Sequence, residues 1–167
     1  ETNSLEEQKL QNVTTNKMEK PRLLKRDAAA SQSYSSAPSN GGSVDTMTAA
    51  CVSELMNAGT SFHKLHLKVT GVGSYSAHKA LNELYDALPE HADALAEGFQ
   101  GASEKLLNYE DSAPRILNSV EEALSYLREM KEMVSGLQTI TPYSEIVNDL
   151  DNVKSTINSI KYKLLFL

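Results

Sequence analysis

Cysteine is almost missing from this sequence of 167 residues, tryptophan is missing altogether, and no apolar run approaches the length of a membrane span. Each shortage excludes something. The single cysteine, Cys51, has no partner for an internal disulfide, which fits a reducing compartment, and it is expected as a small packed side chain. A membrane helix needs about 18 consecutive apolar residues. Without such a run, and without a signal-like apolar core near the N-terminus, the chain is expected to be soluble, in the cytoplasm or in a particle assembled inside a cell. The sequence also has no glycine-rich phosphate loop, no CxxC and no Ser/His/Asp set at credible spacing, so nucleotide-binding, zinc-ribbon and hydrolase readings have no support. No stretch shows the alternation of a strand.

Charge is present but unevenly placed. Residues 1 to 44 carry six Lys or Arg against five Asp or Glu, whereas residues 45 to 167 carry ten against seventeen. The acidic body repels phosphate, which disfavours general nucleic-acid binding, and suits cation uptake where carboxylates line a cavity. Residues 1 to 44 read as an N-terminal arm and linker, and residues 45 to 167 as one helical domain. Within the arm, Ser4 and Glu7 form a capping-box pattern ahead of Leu10 and Val13, so a short helix near residues 5 to 13 is expected. Lys17, Lys20, Arg22, Lys25 and Arg26 follow as a loose basic cluster, and Ala28 to Ser43 has linker composition. The cluster reads either as a weak set of phosphate contacts or as a solvated tail.

The remainder divides into four amphipathic segments. The first is expected from an N-cap at Asp45 to about Thr70, with Gly71 and Gly73 ending it, and its seam runs through Val52, Leu55, Gly59, Phe62, His66 and Val69. The second covers Tyr75 to Gln100, with a seam of His78, Leu81, Tyr85, Leu88, Ala92, Leu95 and Phe99, and Pro89 is expected to kink it near Tyr85. Gly101 to Pro114 form a connection that has to cross the bundle if the second and third helices run parallel, with a short helix expected over Glu104 to Tyr109. The third has a capping box at Ser119 and Glu122, its seam includes Val120, Leu127, Met130 and Leu137, and Gly136 marks its end. Thr141 and Pro142 open the fourth, whose seam runs from Ile146 through Leu150, Val153, Ile157, Ile160 and Leu164 to Leu167.

Two histidines stand on these seams. His66 and His78 occupy places where the spacing calls for a hydrophobe, so both are expected at core or near-core positions. At about 100° per residue, His78, Asn82, Asp86, Asp93 and Glu97 share one edge of the second helix, within roughly a quarter-turn. Asn82 and Asp93 nevertheless lie on the order of 16 Å apart along the axis, too far for one ion with bonds near 2 Å. Two copies packed antiparallel about a two-fold axis bring the His66/His78/Asn82 end of one to the Asp93/Glu97 end of the other, giving two equivalent metal sites. His63 and His91 are expected as surface or interface residues, and Tyr85 and the Met130/Met133 pair as packing.

The run His66, His78, Asp93, Glu97 resembles the signature of the Dps proteins, the mini-ferritins of bacteria, closely over about residues 55 to 100. The resemblance implies a ferritin-like four-helix bundle with a long crossover between its second and third helices. It also implies a closed shell of identical subunits with ferroxidase centres at two-fold interfaces, iron as the bound metal, and lysine-rich arms that can hold DNA. This sequence departs from the pattern at two places. Asn82 stands where the family has Asp, which leaves Asp86, or less well Glu83, as the replacement carboxylate, and Leu67 stands where a Trp usually follows the first His. The ending IKYKLLFL and the short loop after Glu97 look like the divergent Dps-like proteins of tailed bacteriophages.

Two functions are compatible with this reading. One is a Dps-like protein that binds iron between subunits, a ferroxidase-type oxidoreductase where the site is functional. The other is a non-enzymatic structural or assembly protein, such as one of a phage particle, that uses the bundle as a docking block and the arm as an anchor on another subunit or protein.

Overall fold

The computed structural model describes residues 43–166. The expected short helix near residues 5 to 13, the basic cluster from Lys17 to Arg26 and the linker up to residue 42 lie outside the described residues, as does Leu167 at the end of the last seam. Among the described residues the chain is all-α, with four helices and no strand: α1 (Val44–His66), α2 (Ser74–Ser103), α3 (Val120–Ile140) and α4 (Ser144–Phe166). No helix among them is long and apolar enough to cross a membrane.

Local chemistry sets where these helices begin and end. Ser43, not Asp45, caps α1, its hydroxyl accepting from the Thr46 N–H, and Asp45 falls in the first turn, where its charge complements the helix dipole. The helix stops at His66, short of Thr70, where the Lys68 N–H tightens onto the Leu65 carbonyl three residues back, at 2.8 Å. Gly71 and Gly73 then take positive φ, a conformation in which a side chain would clash with the backbone. Ser119 caps α3, its hydroxyl accepting from the Glu122 N–H, and the Glu122 carboxylate reaches back one residue beyond the cap, to the Asn118 N–H at 2.7 Å, a variant of the expected box. Gly136 does not end α3, which continues to Ile140; one glycine costs a helix only about 1 kcal/mol, and Leu137 beyond it is fully buried.

Pro89 does not interrupt α2, which is helical from Ser74 to Ser103. The reason lies on α1. Gly59 faces both the Pro89 ring and the Tyr85 carbonyl, the acceptor that a proline four residues on leaves without its usual donor. The ring and the freed carbonyl pack against the backbone of α1 at Gly59, where a Cβ would lie 3.7–3.8 Å from them, in ordinary contact.

The seams meet in one core. Leu55, Phe62, Leu81, Leu84, Leu88, Leu95, Phe99, Leu127, Leu137, Leu150 and Ile157 are all fully buried, each contributing about 1.5–3 kcal/mol relative to exposure. Helix α1 packs on α2 and α3, and α4 packs on the same two helices from the other side. Phe62 stacks on Tyr126 with ring centroids 5.2 Å apart, and Lys68 donates to the Leu117 carbonyl at 3.0 Å, so the end of α1 lies beside the start of α3.

The connection between α2 and α3 contains no helix over Glu104 to Tyr109. Glu104 has φ 55°, which terminates α2, and the segment from there to Asn118 has neither helix nor strand and is held by side chains. Leu107 and Leu117 are buried. Asn57 donates to Ser112 at 2.6 Å, and Arg115 bridges Glu54 of α1 and Glu129 of α3 while its guanidinium lies 4.0 Å over the Tyr126 ring. These contacts hold the segment through its side chains, and its backbone is met at Leu107, whose N–H donates to the Gln100 side chain at 3.0 Å, and at Leu117, whose carbonyl accepts from Lys68.

Candidate functional site

The turn between α1 and α2 folds the two helices back on each other, and this brings His66 and His78 together from twelve residues apart. Their rings stack with centroids 3.7 Å apart. Each Nδ1 faces the other residue's main-chain carbonyl oxygen, at 3.0 Å for His66 and 3.3 Å for His78. A carbonyl only accepts, so each Nδ1 carries a proton and donates, and in the neutral imidazole the lone pair then sits on Nε2. That is the arrangement in which a histidine is held for metal coordination through Nε2, its other nitrogen fixed by a backbone carbonyl.

His66 is buried, as its place on the seam requires. His78 is not. The buried face of α2 runs through Ala77, Leu81, Leu84, Leu88, Ala92, Leu95 and Phe99, and His78 lies one residue, about 100°, beyond Ala77 at the edge of that face, where it is solvent-exposed. The expected core position at residue 78 is therefore corrected to the rim of the α1–α2 groove, with His66 beneath it.

Asn82 is engaged at both ends of its amide. Its oxygen accepts from the Tyr85 hydroxyl at 3.0 Å, and its nitrogen donates to the Asp86 carboxylate at 2.6 Å. Tyr85 is more than packing. His63 stacks on its ring at 4.0 Å and His66 meets it edge-on at 5.2 Å, so two aromatic groups, Tyr85 and His63, stand beside the histidine pair. The signal was in the spacing: His63 is one turn before His66, and Tyr85 one turn after Asn82.

The remaining candidates are dispersed. Asp93 and Glu97 are exposed, one turn apart on α2, and the Asp93 carboxylate adds to the burial that raises the Tyr109 phenol. Glu83 pairs with Lys163 of α4 and is not turned to the histidines. His91 is half-buried, with its Nε2 2.9 Å from the Thr156 hydroxyl, and burial lowers its pKa. Among the described residues no three His, Cys, Asp or Glu side chains converge on a point where an ion could sit. Asp86 therefore does not complete a three-ligand set with His66 and His78 inside one chain. A cavity of about 420 Å³ lies at the nearby end of the bundle, lined by Val69, Ser74, Asn118 and Lys163, and it does not include either histidine.

What this geometry defines is an all-α helical bundle carrying a reciprocal histidine pair on its α1–α2 hairpin. Residues 66–164 match the family of unknown function DUF5856, and the chain belongs to that family. The matched span begins at His66 and takes in all six candidate ligands, His66, His78, Asn82, Asp86, Asp93 and Glu97. No curated protein matches the chain.

Proposed function

We propose that this chain is a Dps-like, ferritin-fold protein that binds metal between two-fold-related copies, with His66 and His78 of one facing Asp93 and Glu97 of the other. Iron is the cargo that the resemblance implies, sequestered or oxidised there in active or degenerate form. The observation that carries the reading is the histidine pair: two side chains on different helices, both with Nδ1 occupied by a backbone carbonyl and Nε2 left as the donor. The position of the end of α1 beside the start of α3 supports a ferritin-like crossover, since α2 and α3 then run in the same direction and need a long connection to join them. The second copy is required because Asn82 and Asp93 are about 16 Å apart along α2. In the same reading the arm, residues 1 to 44, docks on a neighbouring subunit or protein.

The test is anaerobic Fe²⁺ titration of the full chain with its mass measured on the same sample. The expected result is one ion per chain on an assembly larger than a monomer, lost when His78→Ala and Glu97→Gln are combined, both at exposed positions. A monomer that takes up no ion sinks the reading. Admitting O₂ or peroxide afterwards separates the oxidising form from the degenerate one.

The assembly-protein reading is favoured by a different observation. Leu67, Val72 and Tyr75 around the α1–α2 turn and Tyr162 and Phe166 near the end of α4 are exposed, and a partner docked there would cover them. It predicts that removing residues 1 to 44 prevents incorporation into the assembly and that chelators have no effect.

A further inference from the structure

We propose that the groove between α3 and α4 binds a small phosphate-bearing ligand, its dianionic phosphate held by Arg128, Lys131 and Lys161. The groove is independent of the histidine pair, which lies on α1 and α2.

Side-chain bonds across the seam fix the antiparallel register of the two helices. Gln138 of α3 donates to the Val147 carbonyl and the Asp151 carboxylate of α4, and Lys131 donates to the Asn158 side-chain oxygen at 2.9 Å. About one turn further from the connecting turn, the same register sets Arg128 opposite Lys161. Nearer the turn the charges are matched, Lys154 being paired with Asp151 and bonded to Gln138. At the Arg128 rung two cations face each other, and among the described residues neither has an ion pair or a hydrogen bond.

Like charges across a helix seam repel, and this domain has carboxylates to spare: residues 45 to 167 carry seventeen Asp or Glu against ten Lys or Arg. Three of those ten cations nevertheless line one open groove of about 400 Å³, with Glu132 as the one carboxylate among its lining residues. The lining therefore has a net charge of +2. A phosphate monoester brings about −1.5 to −2 at pH 7 and three strong acceptor oxygens, one for each cation. A carboxylate or a phosphodiester brings a single charge. Arg128 supplies a planar fork suited to two phosphate oxygens, and Lys131 keeps two N–H donors beyond the one given to Asn158. Ser135 offers no donor, since its hydroxyl is given to the Lys131 carbonyl at 2.8 Å. Exposed charges are screened beyond about 8–10 Å, so a ligand confined to the groove responds mainly to these cations. A nucleic acid lying across the domain meets its excess of carboxylates instead.

The test is calorimetric titration of the full chain with phenyl phosphate, inorganic phosphate and a single-stranded oligonucleotide, at an ionic strength held constant with NaCl. The expected result is one phenyl phosphate per chain. Binding should weaken at least about tenfold when Arg128→Gln and Lys161→Gln are combined, the scale of losing charged hydrogen bonds, and tighten in Glu132→Gln. The Glu132 variant keeps the test decisive should the double variant fold poorly, because lost structure does not raise affinity. Inorganic phosphate bound in place of phenyl phosphate, with the same response to the variants, supports the groove with the free ion as its ligand. Three results overturn the inference: no saturable binding of either phosphate, binding that the variants leave unchanged, or an oligonucleotide bound more tightly than the monoester.

Discussion

The imidazole of His66 lies flat against that of His78, 3.7 Å between ring centroids, and each ring holds the other residue's backbone carbonyl. The pair ties the α1–α2 hairpin together next to its turn, so its loss should be felt in stability as well as in ligand binding. His66→Ala removes a buried ring and leaves the His78 carbonyl short of a donor, and is expected to cost about 1–3 kcal/mol. The exposed His78→Ala should cost less. A double-mutant cycle by urea denaturation is expected to show about 1 kcal/mol of coupling, and additivity of the two changes would show that the stacked geometry carries no energy of its own.

Arg115 is the main clasp on the connection between α2 and α3. Its guanidinium bridges Glu54 and Glu129 and covers the Tyr126 ring, which combines a partly screened ion-pair term with a cation–π contact. Arg115→Ala is expected to lower stability by about 1–2 kcal/mol and to make residues 104–119 the first site of cleavage in limited proteolysis. Arg115→Lys keeps the charge and loses the fork, so it should recover only part of the loss. An unchanged cleavage pattern in the alanine variant would show that Leu107 and Leu117 hold the segment without it.

Burial pushes the Cys51 thiol from 9.0 up to about 12, with the Glu54 carboxylate adding to the effect. Between those values the folded chain keeps a proton that the unfolded chain has released. Stability should therefore fall as pH rises from about 9 towards 12, and be insensitive to this group below pH 8. Cys51→Ala is expected to flatten part of the slope, the rest belonging to Tyr126, whose phenol burial also raises, with Glu54 beside it. In native buffer the thiol should resist disulfide reagents and react only in denaturant; rapid labelling of the folded chain would contradict the buried position.

Gly136 sits inside α3, and a methyl group added there meets nothing within 4 Å. Gly136→Ala restricts the unfolded chain at no steric cost, and thermal denaturation is expected to show a gain of about 0.5–1 kcal/mol. A loss would mean that the surface there is covered by something the isolated chain does not contain.

The sequence by itself determined the four helices, their buried faces, the capping box at Ser119 and Glu122, and the inward position of His66, because helical periodicity and end-capping act over three or four residues and can be read along the chain. Only the tertiary structure decided that Pro89, packed against α1 at Gly59, passes without a break, and that the connection before α3 is not helical. The contacts holding that connection, from Asn57 to Ser112, Lys68 to Leu117 and Glu54 to Arg115, join residues 49 to 61 positions apart, and no local period encodes them. The same holds at the candidate site. Spacing named Asn82 as a departure from a carboxylate, but what its amide does there, and that His78 stands at the rim while His66 lies beneath it, follow from which side chains the packed helices bring within hydrogen-bonding reach.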